Sequence, residues 1–551
     1  MHLARYFSDS SLGKHVRSIR NSPREVIYNR QLLVSSALYA MSGLCITWDQ
    51  GSSSVVPSLP GFSKAFGITS AANPSEVANF ISFVYLTAGV GSALSFFIND
   101  RIGRLWSLRL YFAIWIIGQL IATFSYGNKG ALYTARFVSG LGIGPLTVTG
   151  PMSIVEIAPT EIRGLLTVWF SVVMLLSLTI STLTVYACFL HLPASHLQYQ
   201  LVWFLPTIIC GIIIAASFFA CESPRWLMLV GRKEEAIETL VALRDLPADH
   251  PRVAGEIADI EHQIQAEKSR YASGGGLRDI LRETFMVPGN LRRVQQSLIS
   301  YLLAQLSGAN SVTSYLVPIL SLMGINSAHG NNLFLSSMYS LSKFFYTLIA
   351  SFFFIDALGR RKSLFIGITI QLISDVYLGA YIKSHQDGSV APGASTAAIA
   401  AIFIHGFGYA VVINQGLLVL PYVFGAELWP NSIRSFGSAL SQTFHWLFYF
   451  GINRATPSIL SSMHNWGAFI FFAGWCLVAL IYVFFAVPET AGLPLEHIDA
   501  LFECPWWQIT SKAKTLHVTT ISGSVVDEEN SPESLDSKYD QIATTSKQTD
   551  F

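Results

Sequence analysis

One set of charged motifs occurs twice in this chain, in the same order, and each copy lies at the end of a long apolar segment. The paired positions are Asp100 and Asp356, Arg104 and Arg360, Glu156 and Glu427, Arg163 and Arg434, and Glu222 and Glu489. The offsets are nearly constant, at 256 residues for the aspartates and 271 and 267 residues for the two pairs of glutamates. A second half that repeats the first in the same orientation requires an even number of membrane crossings per half, an arrangement found in transporters.

The composition is that of a membrane protein. Of the 551 residues, 51% are hydrophobic and 13% are charged, whereas soluble proteins carry about 25% charged residues. Roughly twelve segments are apolar over the length of about 20 residues that a helix needs to cross a bilayer. They lie near residues 32–50, 80–98, 108–126, 131–154, 164–190, 200–221, 294–322, 333–355, 362–383, 396–426, 435–455 and 465–487. The pattern predicts an all-α membrane protein with twelve transmembrane helices in two six-helix bundles.

Lysine and arginine crowd the loops on one side of these segments and are nearly absent from the opposite loops, such as residues 51–79. The positive-inside rule therefore predicts that both termini are cytoplasmic. The first span begins after about thirty polar residues, which favours a retained helix over a cleaved signal peptide. The predicted parts are an N-terminal arm (1–31), a first bundle (32–221), a cytoplasmic linker with amphipathic helices (222–293), a second bundle (294–502) and a disordered tail (503–551).

Several other functions have no supporting motif. The six cysteines form no Cys-x-x-Cys pair, so neither a disulfide nor a metal site is expected, and nothing implies a cofactor. Gly140, Gly142 and Gly144 form a G-x-G-x-G run inside an apolar segment with no strand before it, so close helix packing is expected rather than a nucleotide loop. There is no Walker motif and no sign of nucleic-acid binding. His405 is expected to be a satisfied core histidine.

These motifs resemble the major facilitator superfamily and, within it, the sugar porter family. The resemblance spans residues 30–502, and its finer features are similar to fungal sugar and quinate-like transporters. It is carried by Trp48-Asp49-Gln50-Gly51, Asp100-Arg101-x-Gly103-Arg104, Arg136-Phe137, Glu156 with Arg163-Gly164, Glu222-Ser223-Pro224-Arg225-Trp226, Gln305-Leu306-Ser307-Gly308-x-Asn310, Gly359-Arg360-Arg361 and Pro488-Glu489-Thr490. Four departures stand where the family has polar partners for sugar hydroxyls or its usual lysine: Ser171, Ala304, His445 and Ala491.

The resemblance implies that the charged helix ends form networks that latch one conformation of an alternating-access transporter. Asp100, Arg104, Glu156, Arg163, Glu222 and Arg225 would belong to the first bundle, and Asp356, Arg360, Arg361, Glu427, Arg434 and Glu489 to the second. The alternative is that these charges only orient the chain in the membrane.

A lone carboxylate, Asp49, lies in the first apolar segment, and Arg136 lies in the fourth. Burying a lone carboxylate at this depth is costly, so we expect Asp49 to exchange a proton and Arg136 to pair with its ionised form. The two residues would then couple proton entry to transport. The alternative is an aspartate that caps a break in the helix before Gln50-Gly51.

The expected substrate site combines amide, aromatic and cationic side chains. Amides suit a hydroxyl-rich ligand because they both donate and accept hydrogen bonds; the alternative is that they only hold helices together. Lys343 and Arg454 are cations within apolar segments and suggest a carboxylate ligand, unless Lys343 pairs with a neighbouring acid and Arg454 lies at the membrane surface. The candidate residues are Gln305, Asn310, Tyr315, Tyr422, His445, Trp446, Ser171, Lys343 and Arg454.

The predicted function is inward transport of a sugar, polyol or carboxylated relative such as quinate or galacturonate, together with a proton. A plasma-membrane location and a monomeric functional unit are expected. The alternative from another class is a nutrient sensor that keeps the fold but does not transport. A membrane enzyme has no support, because the sequence shows no nucleophile–base or metal constellation.

Overall fold

The computed structural model is helical throughout the part of the chain that it describes, and no strand occurs there. The side chains of 266–270, 360 and 411–415 are not included in that description. The described residues are 27–69, 72–159, 161–270, 276–325, 330–350, 360–391, 393–415, 429, 433–487 and 502.

The first bundle contains six crossings, the first of which is built from two helices. Its helices are α1 (Arg30–Ala40), α2 (Ser42–Val55), the short α3 (Pro60–Phe66), α4 (Pro74–Ile102), α5 (Arg104–Thr123), α6 (Lys129–Ile157), α7 (Arg163–His191) and α8 (Leu197–Ala216). Local chemistry sets several of the ends. Pro74 occupies the first turn of α4, where its missing N–H costs nothing, and the Asn128 side chain accepts the Ala131 N–H at the start of α6.

Four helices of the linker follow: α9 (Pro224–Leu229), α10 (Lys233–Arg244), α11 (Pro251–Arg270) and α12 (Leu277–Met286). An ion pair and a hydrogen bond hold two of them to the first bundle, since Arg252 of α11 lies 2.7 Å from Glu161 and Arg244 of α10 donates to the Ile157 carbonyl at 3.0 Å. The sequence predicts amphipathic helices within residues 222–293, and all four helices lie in that stretch.

The second bundle also contains six crossings. Its helices are α13 (Pro288–Leu306), α14 (Ala309–Ser314), α15 (Leu316–Leu322), α16 (Asn331–Ile349), α17 (Arg360–Gln386), α18 (Ala394–Gln415), α19 (Arg434–Ser462) and α20 (Trp466–Ala486). Each of the twelve predicted apolar segments coincides with one or more helices. Within the described ranges, eight helices or continuous helical runs are long and apolar enough to cross a membrane.

One predicted segment, 294–322, is broken into three helices instead of forming one. The break begins at Gly308, whose φ of +79° is a left-handed conformation that favours glycine. A Cβ atom at this position would lie 2.4 Å from the Phe472 ring. The helix therefore cannot continue straight past Gly308, and the polar residues on both sides of the break are turned toward their neighbours.

The glycine run predicted to pack helices is confirmed. A Cβ atom added to Gly140 would lie 2.2 Å from the Val84 carbonyl oxygen, and one added to Gly144 would lie 1.9 Å from that of Ala88. These two glycines let α6 approach α4 closely, while Gly142 does the same toward α5.

The two bundles meet through two symmetry-related contacts, in which the second crossing of each repeat packs against the fifth crossing of the other. Helix α4 packs against α19, and α7 packs against α16. Counted by crossings, these contacts join the second with the eleventh and the fifth with the eighth. The arrangement is thus symmetric, as a duplicated sequence with parallel topology requires.

Candidate transport site

Asp49 and Arg136 form a bidentate ion pair inside the first bundle. Arg136 Nη1 lies 2.6 Å from Asp49 Oδ1, and Nη2 lies 2.9 Å from Oδ2. The exposed fractions of the two side chains are 3% and 1%. The remaining guanidinium donor, Nε, bonds to the Phe80 carbonyl at 2.8 Å, and the Phe80 ring lies 4.8 Å below the guanidinium carbon. The pairing expected from the sequence is therefore present, and nearly every polar atom of the pair is satisfied.

The two amides expected on the seventh crossing lie on either side of its break and bond to each other. Asn310 Nδ2 donates to Gln305 Oε1 at 2.9 Å, and Tyr409 of α18 donates its hydroxyl to Asn310 Oδ1 at 2.7 Å. Gln305 Nε2 lies 3.5 Å from His445 Nδ1. All four side chains are buried. The cluster joins the seventh, tenth and eleventh crossings, and Tyr409 is a member that sequence reasoning missed.

Lys343 of α16 belongs to the same cluster. Its ammonium donates to Thr313 Oγ1 at 3.1 Å and lies 4.8 Å from the centre of the Tyr409 ring. The side chain is only 3% exposed. Within the described part of the chain, its contacts are the Thr313 hydroxyl and the rings of Tyr339 and Tyr409 rather than a carboxylate, so the predicted alternative of a neighbouring acid finds no support there.

Aromatic residues connect this cluster to the first bundle. The ring of Trp446 is stacked on that of Tyr85 with 5.7 Å between the centroids, and Trp446 Nε1 donates to Thr147 Oγ1 at 3.3 Å. Gln50, which follows Asp49, donates to the Tyr449 hydroxyl at 2.7 Å. The residue that follows Asp49 in the first bundle thus makes a direct hydrogen bond to the second bundle.

Other predicted binding residues lie apart from this cluster. The Tyr315 hydroxyl is used to hold the seventh crossing to the eleventh, because it donates to the Asn453 carbonyl at 2.8 Å. Ser171 and Arg454 are partly exposed, and neither makes a hydrogen bond or ion pair with another described residue. Tyr422 lies outside the described residues.

The charged network of the first bundle is present at one end of its helices, called here the charged end. The Arg104 guanidinium donates to Glu156 through Nε and Nη2, both at 3.0 Å, and to Asp100 through Nη1 at 2.9 Å. Trp226 Nε1 bonds to the Asp100 carbonyl at 3.0 Å and ties α9 to the same point. Four elements are therefore held together through one arginine and its acids.

Glu222 contributes in a different way, by accepting the free N–H groups at the start of α5. Its Oε1 accepts from the Arg104 N–H at 2.9 Å, and its Oε2 from the Leu105 N–H at 3.0 Å. These donors are among those that a helix leaves without a partner at its N-terminus. Burial raises the pKa of the Glu222 carboxyl, and the backbone hydrogen bonds only partly oppose that shift.

The second-bundle network is described in part. Arg361 donates to the Phe484 carbonyl at 2.6 Å, whereas Asp356, Glu427, Glu489 and the Arg360 side chain lie outside the described part. Arg163, Arg225 and Arg434 line one cleft of about 580 Å³ at the charged end, together with Glu156. Arginines of both repeats thus face a common space.

Sequence reasoning missed a second buried acid. Asp375 of α17 and His405 of α18 are fully buried, with 3.5 Å between Asp375 Oδ1 and His405 Nε2. The expectation that His405 is satisfied was wrong, because neither of its ring nitrogens makes a hydrogen bond to a described residue. Asp375 gave the same signal as Lys343, a single charge inside an apolar segment. Among the described residues, no group of three histidine, cysteine or carboxylate side chains is placed to hold a metal ion.

The sequence profile of a family described as "Sugar (and other) transporter" matches residues 36–502. The chain belongs to this family. As a family member it is a membrane transport protein of the major facilitator superfamily and not an enzyme. The predicted family and class of function are thereby confirmed.

Relatives in the sugar transporter family include fungal permeases. The chain is 30% identical over 499 residues to the probable quinate permease of Aspergillus oryzae, covering 89% of this chain and 91% of the relative. It is 28% identical over 498 residues to the quinate permease of Emericella nidulans, covering 90% and 92%.

Solved structures show the same fold. The proton:xylose symporter XylE bound to 6-bromo-6-deoxy-D-glucose superposes with a TM-score of 0.71 at 20% identity, over 86% of this chain and 100% of XylE. The inward-open form of XylE from E. coli gives a TM-score of 0.66 at 18% identity, over 85% and 99%. The predicted twelve-helix fold is confirmed.

Proposed function

We propose that this transporter imports a carboxylated polyol or sugar acid, with quinate as the leading candidate, together with a proton. It works by alternating access in the plasma membrane, with both termini in the cytoplasm. A single chain is the functional unit, because one chain supplies both bundles and the residues between them. Membership of the family supports sugar-type transport, and three features of the site support the finer assignment.

Lys343 carries the assignment of an acidic substrate. A buried ammonium is costly unless a counter-charge or a full set of acceptors surrounds it. Here the described partners are one hydroxyl and two aromatic rings, those of Tyr339 and Tyr409. A substrate carboxylate would supply the missing counter-charge through a charge-assisted hydrogen bond.

The neighbouring amides suit the rest of a polyol. Gln305 and Asn310 each keep donor or acceptor capacity beyond the bonds that join them, and Tyr409 orients the Asn310 oxygen. Hydroxyl groups on a ring would bond to these atoms while the carboxylate contacts Lys343. The quinate permeases among the relatives are consistent with a ligand of this kind.

The Asp49–Arg136 pair supports coupling to protons. Protonation of Asp49 would remove the charge that holds Arg136 and free the first crossing from the fourth. Gln50 bonds across to Tyr449, so a movement at Asp49 would reach the interface between bundles. Proton entry would then favour the conformation that releases substrate.

The test is uptake of labelled quinate, galacturonate and neutral hexoses at two external pH values in a host that lacks such transporters. Quinate uptake should rise at the more acidic pH. Lys343→Met should weaken quinate uptake about tenfold or more, as expected for a hydrogen bond to a charged group, and should affect a neutral analogue less. Lys64→Met, which removes an exposed lysine, is the control and should match the wild type.

Two outcomes would contradict the proposal. Efficient hexose uptake that acids do not inhibit, unchanged in Lys343→Met, would establish ordinary sugar transport. Absence of uptake for every compound, with intact signalling by a correctly located protein, would favour the sensor.

A further inference from the structure

A groove runs along the outer surface of the second bundle, between its first and last crossings, α13 and α20. Its volume is about 520 Å³, within the range of about 300–1,000 Å³ that is typical of ligand sites. The two helices run in opposite directions, so the start of α13 and the end of α20 meet at the charged end. The groove therefore extends from the charged end into the membrane-spanning part of both helices.

The polarity of the lining changes along the groove. On α13, Arg292, Gln295 and Gln296 line the part nearest the charged end, and Ile299 follows one turn further into the membrane. On α20 the lining side chains are apolar or aromatic as far as Val478, about two turns before the end of the helix. The groove thus has one polar end and an apolar interior, as a phospholipid has a polar headgroup and apolar chains.

Arg292 provides the charge at the polar end. Its Nη1 donates to the Phe502 carbonyl at 2.9 Å, which holds the guanidinium beside the groove. A guanidinium has five N–H donors in a planar fork that matches phosphate, so this bond leaves donors for a ligand. The amides of Gln295 and Gln296 both donate and accept hydrogen bonds. This end therefore suits an anionic headgroup in which hydroxyl groups accompany the phosphate.

The apolar part of the groove is open to the membrane. Val478, Ile481 and Phe485 are 45%, 54% and 52% exposed. In a bilayer such side chains meet acyl chains, which are as apolar as they are. A chain that lies in a groove makes dispersion contacts with both helices, whereas a chain on a convex helix surface contacts only one. From a headgroup at Arg292, an acyl chain lying along this groove would point toward the middle of the bilayer.

We propose that this groove binds one anionic phospholipid from the leaflet at the charged end. The phosphate lies on Arg292, headgroup hydroxyls bond to Gln295 and Gln296, and one acyl chain lies between α13 and α20. The distribution of lysine and arginine predicts that this leaflet is the cytoplasmic one, where anionic lipids are found. The inference goes beyond the proposed function and depends neither on the substrate nor on the proton.

The experiment measures lipid binding to the full-length purified protein by native mass spectrometry. The probes are dioleoyl phosphatidylinositol, which is anionic and carries hydroxyl groups, and dioleoyl phosphatidylcholine, which has the same acyl chains and no net charge. The wild type should bind one phosphatidylinositol about tenfold or more tightly than phosphatidylcholine, as expected for hydrogen bonds to an ionised group. This comparison requires no variant.

The headgroup is tested with Arg292→Gln, which should lower the affinity for phosphatidylinositol about tenfold or more and the affinity for phosphatidylcholine less. Lys362→Gln is the matched control, because it removes an exposed positive charge at the same end of the second bundle but outside the groove. It should bind both lipids like the wild type. An equal loss in the two variants would indicate general attraction of anionic lipid and would overturn the inference.

The acyl chain is tested with Val478→Trp, which fills the apolar part of the groove and should weaken the binding of both lipids. Leu477→Trp makes a similar change at the neighbouring position, which is 53% exposed and lies outside the groove, and should bind like the wild type. Neither substitution changes a charge, and both side chains face the membrane. Melting temperatures without added lipid check that the variants are folded.

Three results would contradict the proposed lipid site. The first is equal affinity of the wild type for the two lipids, and the second is unchanged binding of phosphatidylinositol in Arg292→Gln. The third is a dimer that forms in place of lipid binding and is lost in Val478→Trp, which would show that a second copy of the chain occupies the groove. None of these results bears on quinate transport, so this inference and the proposed function can fail separately.

Discussion

Among the described residues, Asp49 in the first bundle and Asp375 in the second are buried acids within membrane-spanning helices, and their surroundings differ. Asp49 has a bidentate arginine partner at 2.6 and 2.9 Å. Asp375 has only a histidine nitrogen at 3.5 Å, and neither of its oxygens has a hydrogen bond to a described residue. The duplicated motifs at the helix ends did not extend to the interior, where the two halves have diverged.

The difference separates two uses of a buried charge. A paired charge holds two helices together and must be broken for them to move, so its protonation is linked to conformation. An unpaired charge is already destabilised, so it responds to whatever charge enters beside it. We therefore propose that the paired charge of the first bundle couples protonation to conformation, whereas the buried charge of the second bundle responds to the charge of a bound ligand.

The largest expected effect is on stability, with the same substitution made in both bundles. Asp49→Asn leaves Arg136 buried without a counter-charge and should lower the free energy of unfolding by about 3–5 kcal/mol. Asp375→Asn replaces a carboxyl group that has no hydrogen bond to a described residue with an amide of nearly the same shape, and it should change the free energy of unfolding by about 1 kcal/mol or less. Thermal unfolding of the purified variants measures both. Adding Arg136→Gln to Asp49→Asn should recover part of the lost stability, because the buried guanidinium is then gone as well. If Asp49→Asn and Asp375→Asn lower the free energy of unfolding equally, the contrast between the two acids is wrong.

Ligand should stabilise the protein through the second bundle. At a quinate concentration about 100 times Kd, the wild type should gain about 2.7 kcal/mol. Lys343→Met should be at least as stable as the wild type without ligand, because a buried unpaired cation is gone, but it should gain little from quinate. The measurement is the melting temperature with and without ligand. A full ligand-induced shift in Lys343→Met would show that the carboxylate binds elsewhere.

The charged end allows a test of how similar the two repeats remain. Arg104→Ala removes the donor that joins Asp100 and Glu156, and it should slow transport about tenfold, an effect of about 1.4 kcal/mol on the balance of conformations. Substrate affinity should change less than transport rate. Arg360→Ala, its equivalent in the second repeat, should have the same effect. Wild-type rates in both variants, with normal surface expression, would leave these charges only a role in orientation.

The smallest effect is expected at Glu222, whose carboxyl oxygens accept hydrogen bonds from backbone N–H groups. Burial raises the pKa of this carboxyl. A raised pKa stabilises the fold at low pH, and that contribution is lost as pH rises from about 4.3, the unfolded value, through the higher folded pKa. Glu222→Gln does not titrate, so its stability relative to the wild type should improve between about pH 4 and pH 7. Thermal unfolding at several pH values tests this, and a change in the opposite direction would contradict it.

The sequence by itself determined the topology and the paired site. Hydrophobic segments of bilayer length cannot avoid becoming helices, because the membrane offers no other partner for their backbone groups. The duplicated charges fixed the equivalence of the halves, and a lone acid with a lone arginine on two such helices was enough to predict Asp49 with Arg136. Gln305 and Asn310 were predicted too, because amide groups suit a hydroxyl-rich ligand and the resemblance to the sugar porter family implies a binding site there.

Only the tertiary structure decided what surrounds the charges of the second bundle. Spacing along a helix fixes which residues share a face, but not which other helix that face meets. Lys343 and Thr313 are thirty residues apart, and Asp375 and His405 come from separate crossings. The break occurs at Gly308, where the ring of Phe472 from another crossing leaves no room for a Cβ atom, and next to it Asn310 accepts a hydrogen bond from Tyr409. These contacts depend on how six helices pack together, which no local pattern in the sequence specifies.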